Sequence, residues 1–230
     1  MAYYQNFEEL KLLAHTELFT ALVGDVLDKM GYFHQFLPPE IKPIDSRMVI
    51  FGKAMTVLEA DFFAEQSAIS ANPFLNKPFG IMFEALDDLK EDEVYICTGS
   101  SLKYALWGGL MSTRAMKLKS AGAVLHGFSR DTNEVLKLGF PMFSMGTYAQ
   151  DQGPRGKVID YRIPIAIENV KINPGDIIYG DRDGVVVVPQ EIMDEVFEKA
   201  MVKARGEKKV LKALQEGMST VAAFEKFGIM

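Results

Sequence analysis

Cysteine, tryptophan and histidine are scarce in this chain of 230 residues, which holds only Cys97, Trp107, His15, His34 and His126 of these types. One thiol cannot form an internal disulfide, and its use fits a reducing compartment. The histidines show no metal-ligand spacing, so with Cys97 isolated a zinc site is not expected, and His126 reads as a packed strand residue. Positive charge is not in excess: 25 basic residues face 31 acidic ones, for a net charge of -6. That balance gives no electrostatic footprint for nucleic acid. The start, MAYYQNFEEL, lacks a basic patch followed by an apolar run, and no later stretch is long and apolar enough to span a bilayer. A cytoplasmic protein with no membrane partner is the expectation. Also missing are a G-x-S-x-G elbow, a Walker loop and a complete G-x-G-x-x-G fingerprint after a strand, which excludes serine-hydrolase, P-loop and dinucleotide-binding readings. GDRDG, Gly180 to Gly184, resembles a calcium loop only superficially: the remaining ligands and the closing glutamate are absent, and a tight turn is the better reading.

Hydrophobic residues make up 48% of the chain, enough for one large core, and with no internal repeat or low-complexity linker residues 1–230 read as one domain. Apolar positions at helical spacing predict a helix over Glu17–Met30, with Thr16 as its cap and Gly31 at its end. Met48–Ala60 reads as a strand in which Gly52 marks a bulge or a close backbone approach. A helix over Phe79–Leu89, a strand over Val94–Thr98, a helix over Leu110–Ser120, a strand over Ala123–Gly127, a short helix from Thr132 and a strand over Met142–Met145 follow. This alternation predicts an α/β fold in which helices cover a partly parallel sheet. Ile163–Ile172 and Asp176–Val188 are strand-like, joined by Asn173-Pro174-Gly175, and a long helix from about Glu191 to Gln215 comes after Pro189.

Thr98 to Asp131 is the stretch richest in chemistry. The pair Gly108-Gly109 stands just before a helical pattern, so the amides of Gly109, Leu110 and Met111 are placed to bind a small carboxylate or phosphate. Taken alone, the glycine pair reads as a plain tight bend. Arg130-Asp131 follows the strand AVLHGF, setting a cation and a carboxylate at a strand's carboxyl end, where α/β sheets bind ligands. Arginine offers a planar carboxylate a rigid two-pronged fork, and aspartate suits a hard cation such as Mg2+ or Mn2+. Together they can hold a 2-oxo acid and polarise its carbonyl; an N-cap aspartate beside a surface arginine is the competing reading. On the last long helix Val196, Ala200, Ala204, Leu211 and Leu214 form an apolar stripe that includes Glu207. Either a kink at Gly206 lets that carboxylate reach water, or it meets a metal-bound water or an arginine, across a subunit interface in one version. The aromatics Phe62, Phe63, Phe74 and Phe79 read as core more than pocket.

WGGLMSTRAMKLKSAGAVLHGFSRD resembles the signature of the RraA-like family, which includes 4-hydroxy-4-methyl-2-oxoglutarate aldolase. TALVGDVLDKMGY, INPGDIIYGDRDGVVVVP and EKKVLKALQEGMSTVAAFEKFG look like that family's other landmarks in the same order, so the likeness covers nearly the whole chain. The family signature puts a glutamate twenty-one positions before the arginine; here the spacing is kept and Gly109 stands in the glutamate's place. The resemblance implies a swivelling β/β/α domain, with mixed sheet layers and flanking helices. It implies trimers or hexamers with active sites between subunits, residues 190–230 packing on a neighbour. It further implies a class II aldolase cleaving a 4-hydroxy-2-oxo acid to pyruvate and a second carbonyl compound, with oxaloacetate decarboxylation as a side activity. In that reading Arg130 binds the oxo acid and stabilises its enolate, Asp131 ligates Mg2+ or Mn2+, and Gly108, Gly109, Leu110 and Met111 line the carboxylate site. Glu207 approaches from a neighbouring subunit, and a water bound to the metal or oriented by Glu207 carries protons. Two other functions stay open: a non-catalytic regulator that binds ribonuclease E, and a lyase or decarboxylase acting on a sugar-acid-like substrate.

Overall fold

Strict alternation along single strands decides how this chain layers. In the strand Glu93–Thr98, Val94 and Ile96 point to one core cluster while Tyr95 and Cys97 point to another, as a two-residue period requires when both faces are buried. The computed structural model describes residues 2–62 and 70–229. In chain order its elements are α1 (Phe7–Thr16), α2 (Thr20–Lys29), β1 (Lys42–Pro43), β2 (Ile50–Asp61), α3 (Met82–Asp87), β3 (Glu93–Thr98), β4 (Ala105–Trp107), α4 (Gly109–Lys117), β5 (Gly122–Leu125), β6 (Phe128–Ser129), α5 (Thr132–Leu138) and β7 (Met142–Ser144). Then come β8 (Gly156–Tyr161), β9 (Ile165–Ile167), β10 (Val170–Ile172), β11 (Ile177–Asp181), β12 (Gly184–Val188), α6 (Met193–Gln215) and α7 (Thr220–Phe227). They form two units, His34–Gln190 and a helical one made of Met1–Phe33 with Glu191–Met230.

The larger unit is built on a mixed sheet of order β1-β7-β5-β3-β2-β11-β12, with β8 also paired to β2. Strands β2, β3, β5 and β7 run parallel, whereas β11, β12 and β8 join antiparallel. Helices α3, α4 and α5 cover one face through Ala85, Leu86, Ala115 and Val135. The β9–β10 hairpin covers the other through Ile165, Ile167, Val170 and Ile172. The result is the expected β/β/α layering with flanking helices. Gly52 marks a close approach, not a bulge: a Cβ there would lie 2.4 Å from the Asp92 carbonyl oxygen. The register shift in β2 comes later, between Leu58 and Glu59.

In the helical unit, α6 runs 23 residues, about 34 Å, without a break at Gly206. A Cβ at Gly206 would sit 2.5 Å from Ile229 Cδ1, so glycine here admits the Ile229 side chain instead of kinking the helix. The buried stripe is Val196, Ala200 and Ala204, then Val210 and Ala213; Leu211 is 56% exposed. Past Glu207 the buried face has turned away from the position that ideal spacing assigns to Leu211. Among the described residues, no helix is long and apolar enough to cross a membrane.

Several element boundaries differ from expectation for local reasons. Thr16 ends α1 and caps nothing, because its hydroxyl donates back to the Leu12 carbonyl at 2.7 Å; α2 begins at Thr20 after Phe19 with no side-chain cap. The run Ile163–Ile172 is not one strand but a hairpin, Ile167 pairing with Val170 around Glu168, which takes the left-handed φ of 49°. A Glu-Asn turn carries little signal beside the usual Asn-Gly. Strands β4 and β8 lie in stretches to which periodicity assigned no element.

Candidate active site

The short parallel pair β4–β6 delivers Gly108 and Arg130 side by side, with the Arg130 amide donating to the Trp107 carbonyl at 2.9 Å. Trp107 is buried. Its ring lies 4.8 Å from that of Tyr95 and stacks on Phe140 at 5.8 Å. Its indole N–H donates to Ser112 Oγ at 2.8 Å, and that hydroxyl donates in turn to the Gly108 carbonyl. The lone tryptophan thus holds the glycine pair at the start of α4.

Asp131 sits at the head of α5 with φ 56° and makes no cap to its own helix. Its carboxylate reaches across instead, and Oδ2 accepts the Gly109 N–H at 3.0 Å. The ordinary N-cap expected as the bland alternative is therefore replaced by a cap on the neighbouring helix. One correction follows: of the three amides expected to be open, that of Gly109 is engaged, and those of Leu110 and Met111 remain as first-turn donors of α4. The glycines differ in need. A Cβ on Gly108 would lie 2.5 Å from Asp131 Oδ2, while one on Gly109 would meet Glu134 Cβ at 3.3 Å, so only position 108 is closed by the aspartate.

Arg130 is oriented by a residue the motif reading missed. Its Nη1 lies 2.7 Å from Asp151 Oδ1, and its Nε 3.8 Å from Asp131 Oδ2. Asp151 Oδ2 also accepts the Gly153 N–H at 2.9 Å, so one carboxylate fixes both the loop and the guanidinium. The Asp-x-Gly pattern at 151–153 signals such a turn, but nothing in the sequence ties it to Arg130. Next to it Gln152 donates from Nε2 to Glu59 Oε2 at 2.5 Å. Glu59 is buried, and among the described residues neither its Oε1 nor the hydroxyl of nearby Tyr95 has a hydrogen-bond partner. Burial pushes the Glu59 carboxyl from the usual 4.5 up to about 8, against the opposing pull of the Gln152 amide. A glutamate inside the apolar run of β2 was the available signal for it.

Beside Gln152 opens a cleft of about 230 Å³. Arg130, Asp131, Asp151 and Gln152 make its polar end; Phe79, Met82, Phe83, Leu110 and Met111 make the apolar wall. Phe79 therefore serves the cleft as well as the core. Phe74 is exposed, Phe62 packs under the Lys157 ammonium, and Phe63 lies outside the described residues.

The residues expected at the site thus gather in the larger unit, all but one. Glu207 belongs to the helical unit, where it accepts an ion pair from Lys203 Nζ, which also binds Asp25 at 2.7 Å. Within this chain α6 runs unkinked past Gly206, and the partner of that carboxylate among the described residues is a lysine one turn back.

Among the described residues no three His, Cys, Asp or Glu side chains converge as a metal cluster. Asp131 supplies a single, partly exposed carboxylate at the cleft. That donor set suits a hard cation that keeps most of its waters, as Mg2+ and Mn2+ do, and not one that needs an all-protein cage.

A model of the RraA-like family, described as Aldolase/RraA, matches residues 20–187. Protein DlpA of Legionella pneumophila is 28% identical over 210 residues, covering 90% of this chain but 32% of DlpA, so the chain spans about a third of that relative's length. A putative 4-hydroxy-4-methyl-2-oxoglutarate aldolase of Halalkalibacterium halodurans is 29% identical over 205 residues, 89% of each chain. Among solved structures, Streptomyces coelicolor RraAS2, described as an unusual member of the RNase ES inhibitor RraA family, superposes with a TM-score of 0.74 at 21% identity, over 89% of this chain and 97% of its own.

Proposed function

The chain belongs to the RraA-like family, and from that premise we propose that it is a class II aldolase that cleaves a 4-hydroxy-2-oxo acid to pyruvate and a second carbonyl compound. The observation that carries this reading is the Arg130–Asp131 pair, held in place by Asp151 and the Gly109 amide at the head of α4. Support also comes from the aldolase name borne by the Halalkalibacterium relative.

In the reaction the C4 hydroxyl loses its proton, the C3–C4 bond breaks, and its electron pair passes into the C2 carbonyl to give pyruvate enolate and the released carbonyl compound. Protonation at C3 then yields pyruvate. Arg130 meets the oxo-acid end with a fixed, permanent charge, and the amides of Leu110 and Met111 take the carboxylate. Because Asp151 holds the guanidinium before substrate arrives, little reorganisation is left to the moment when negative charge develops. Asp131 would hold Mg2+ or Mn2+, which supplies Lewis acidity toward the 2-oxo group. Glu207 is assigned the orientation of a proton-carrying water from a neighbouring subunit, in a trimer or hexamer in which residues 190–230 pack on the next copy. Oxaloacetate, which decarboxylates through the same enolate, is the expected side substrate. A second reading, a ribonuclease-inhibiting regulator, rests on the likeness to RraAS2 and on the net negative charge.

The test is pyruvate release from oxaloacetate and from 4-hydroxy-4-methyl-2-oxoglutarate by chelator-stripped protein, before and after Mg2+ or Mn2+ is restored. Metal-dependent release that falls by about 10²–10³-fold in Asp131→Ala is the expected result. Folded wild-type protein that releases no pyruvate from either compound with metal present would overturn the assignment and favour the regulator.

A further inference from the structure

A carboxyl group closed inside the larger unit connects to Arg130 through two neighbouring residues of one loop. Along β2, Met55 and Val57 belong to the core cluster under the helices. At Glu59 the pairing with β8 shifts register, an irregularity of the kind that re-aims a side chain beside a site. Glu59 is 2% exposed, and its Oε2 accepts an Nε2 proton from Gln152, itself buried. Gln152 follows Asp151 in a loop whose backbone is tied down on both sides. The Ala105 amide donates to the Gln150 carbonyl at 2.9 Å, and the Arg155 and Gly156 amides donate to that of Gln152 at 2.7 and 2.9 Å. Glu59 thus anchors from the inside the segment whose Asp151 grips Arg130 from the outside. All these contacts lie within one chain, and a group buried inside a subunit stays buried when subunits assemble, so a neighbour at the cleft leaves them in place.

The groups facing Glu59 bring it no counter-charge. Burial, and Glu59 itself, push Tyr95 and Cys97 of β3 well above their usual values, and burial with the Asp61 hydrogen bond raises Tyr104. All three therefore stay neutral near pH 7. Asp61, at the end of β2, is held below the usual carboxylate range, against desolvation, by the Ser101 amide and the Tyr104 hydroxyl. Lys157 of β8 donates to the carbonyls of Leu75 and Lys77, and Arg155 to that of Asp151. A neutral Glu59 suits this pocket. Ionised, it would carry the cost of a buried charge with one side-chain amide to answer it. Any local opening that costs less and brings water to the carboxylate then becomes the favoured state. The segment bonded to Glu59 is the one that holds Asp151.

We propose, resting on the aldolase reading, that Glu59 is a positioning residue of the reaction: its neutral carboxyl, through Gln152, keeps Asp151 on Arg130, and its ionisation frees that loop and with it the guanidinium. Preorganisation of Arg130 is what is lost, so the rate falls while the fold persists.

The test follows kcat/KM for oxaloacetate and for 4-hydroxy-4-methyl-2-oxoglutarate, with Mg2+ restored, from about pH 6 to 9.5. The wild type should lose at least about tenfold along a reversible alkaline limb centred near 8, with its circular dichroism unchanged. Glu59→Gln keeps an acceptor for Gln152 and has nothing to ionise; it should hold the neutral rate within about twofold and lack that limb. Glu59→Leu leaves the Gln152 amide unpaired and should be about 10–10²-fold slower at every pH. Should it fail to fold, the Glu59→Gln comparison decides alone. A second readout needs no turnover: the Nε–Hε NMR signal of Arg130, assigned by its loss in Arg130→Lys, should shift with the same midpoint in the wild type and stay still in Glu59→Gln. An alkaline limb shared by Glu59→Gln, or an Arg130 signal in folded wild type that does not respond over this range, overturns the role of Glu59 and leaves the aldolase reading standing. If folded wild type releases no pyruvate from either compound, the aldolase reading falls and the role of Glu59 in it falls too.

Discussion

Replacing Glu59 by glutamine should change the pH dependence of stability in a way that nothing else at the site can imitate. The carboxyl has an ordinary value of 4.5 in the unfolded chain and about 8 when folded, because burial disfavours its charge. Below pH 4.5 it is protonated in both states and carries no penalty. Between 4.5 and 8 the unfolded chain gives up the proton while the folded chain keeps it, so the wild type loses stability by about 1.4 kcal/mol per pH unit. Above the folded value both forms are ionised, and the loss levels off at about 5 kcal/mol. Glu59→Gln keeps the shape and an acceptor for the Gln152 amide but has nothing to ionise; whatever its amide protons cost is independent of pH. Urea unfolding, followed by the emission of buried Trp107 at several pH values from about 5 to 8, gives both stabilities. The variant's stability relative to wild type should climb by roughly 4 kcal/mol across that range. A difference that stays flat with pH would show that Glu59 is ionised in the folded protein and would refute the argument.

Two glycines separate function from fold. Gly108→Ala has an allowed, extended backbone, yet its Cβ would press on Asp131 Oδ2; pyruvate release should fall by about 10²-fold with the melting temperature nearly kept, and activity within twofold of wild type would contradict the placement of Asp131. Gly52→Ala drives a Cβ against the Asp92 carbonyl and Ala121, both fixed, and should lower stability by about 1–3 kcal/mol; an unchanged melting curve would mean that β2 and the chain at Asp92 are less closely packed than described.

Periodicity and alternation determined the helices over a partly parallel sheet and α6, because a strand buried on both faces and a helix with one apolar stripe each impose a local pattern that needs no partner to be read; the β/β/α layering came from the family resemblance. The Gly108-Gly109 and Arg130-Asp131 motifs were equally plain, being short and contiguous. Tertiary structure alone decided the rest. Asp131 capping α4 instead of α5, Asp151 gripping Arg130, and Gln152 joining Glu59 across 93 positions are contacts between segments far apart in sequence, and no local spacing encodes them. Glu207 shows the converse: a wheel drawn for an ideal helix put it among buried apolar residues, whereas the packing of α6 buries Val210 and Ala213 and leaves Leu211 exposed, and the carboxylate meets Lys203 one turn back, a pairing local in sequence. Residue type and spacing specify which chemistry is available; burial, and the distance to a partner elsewhere in the chain, specify which of it is used.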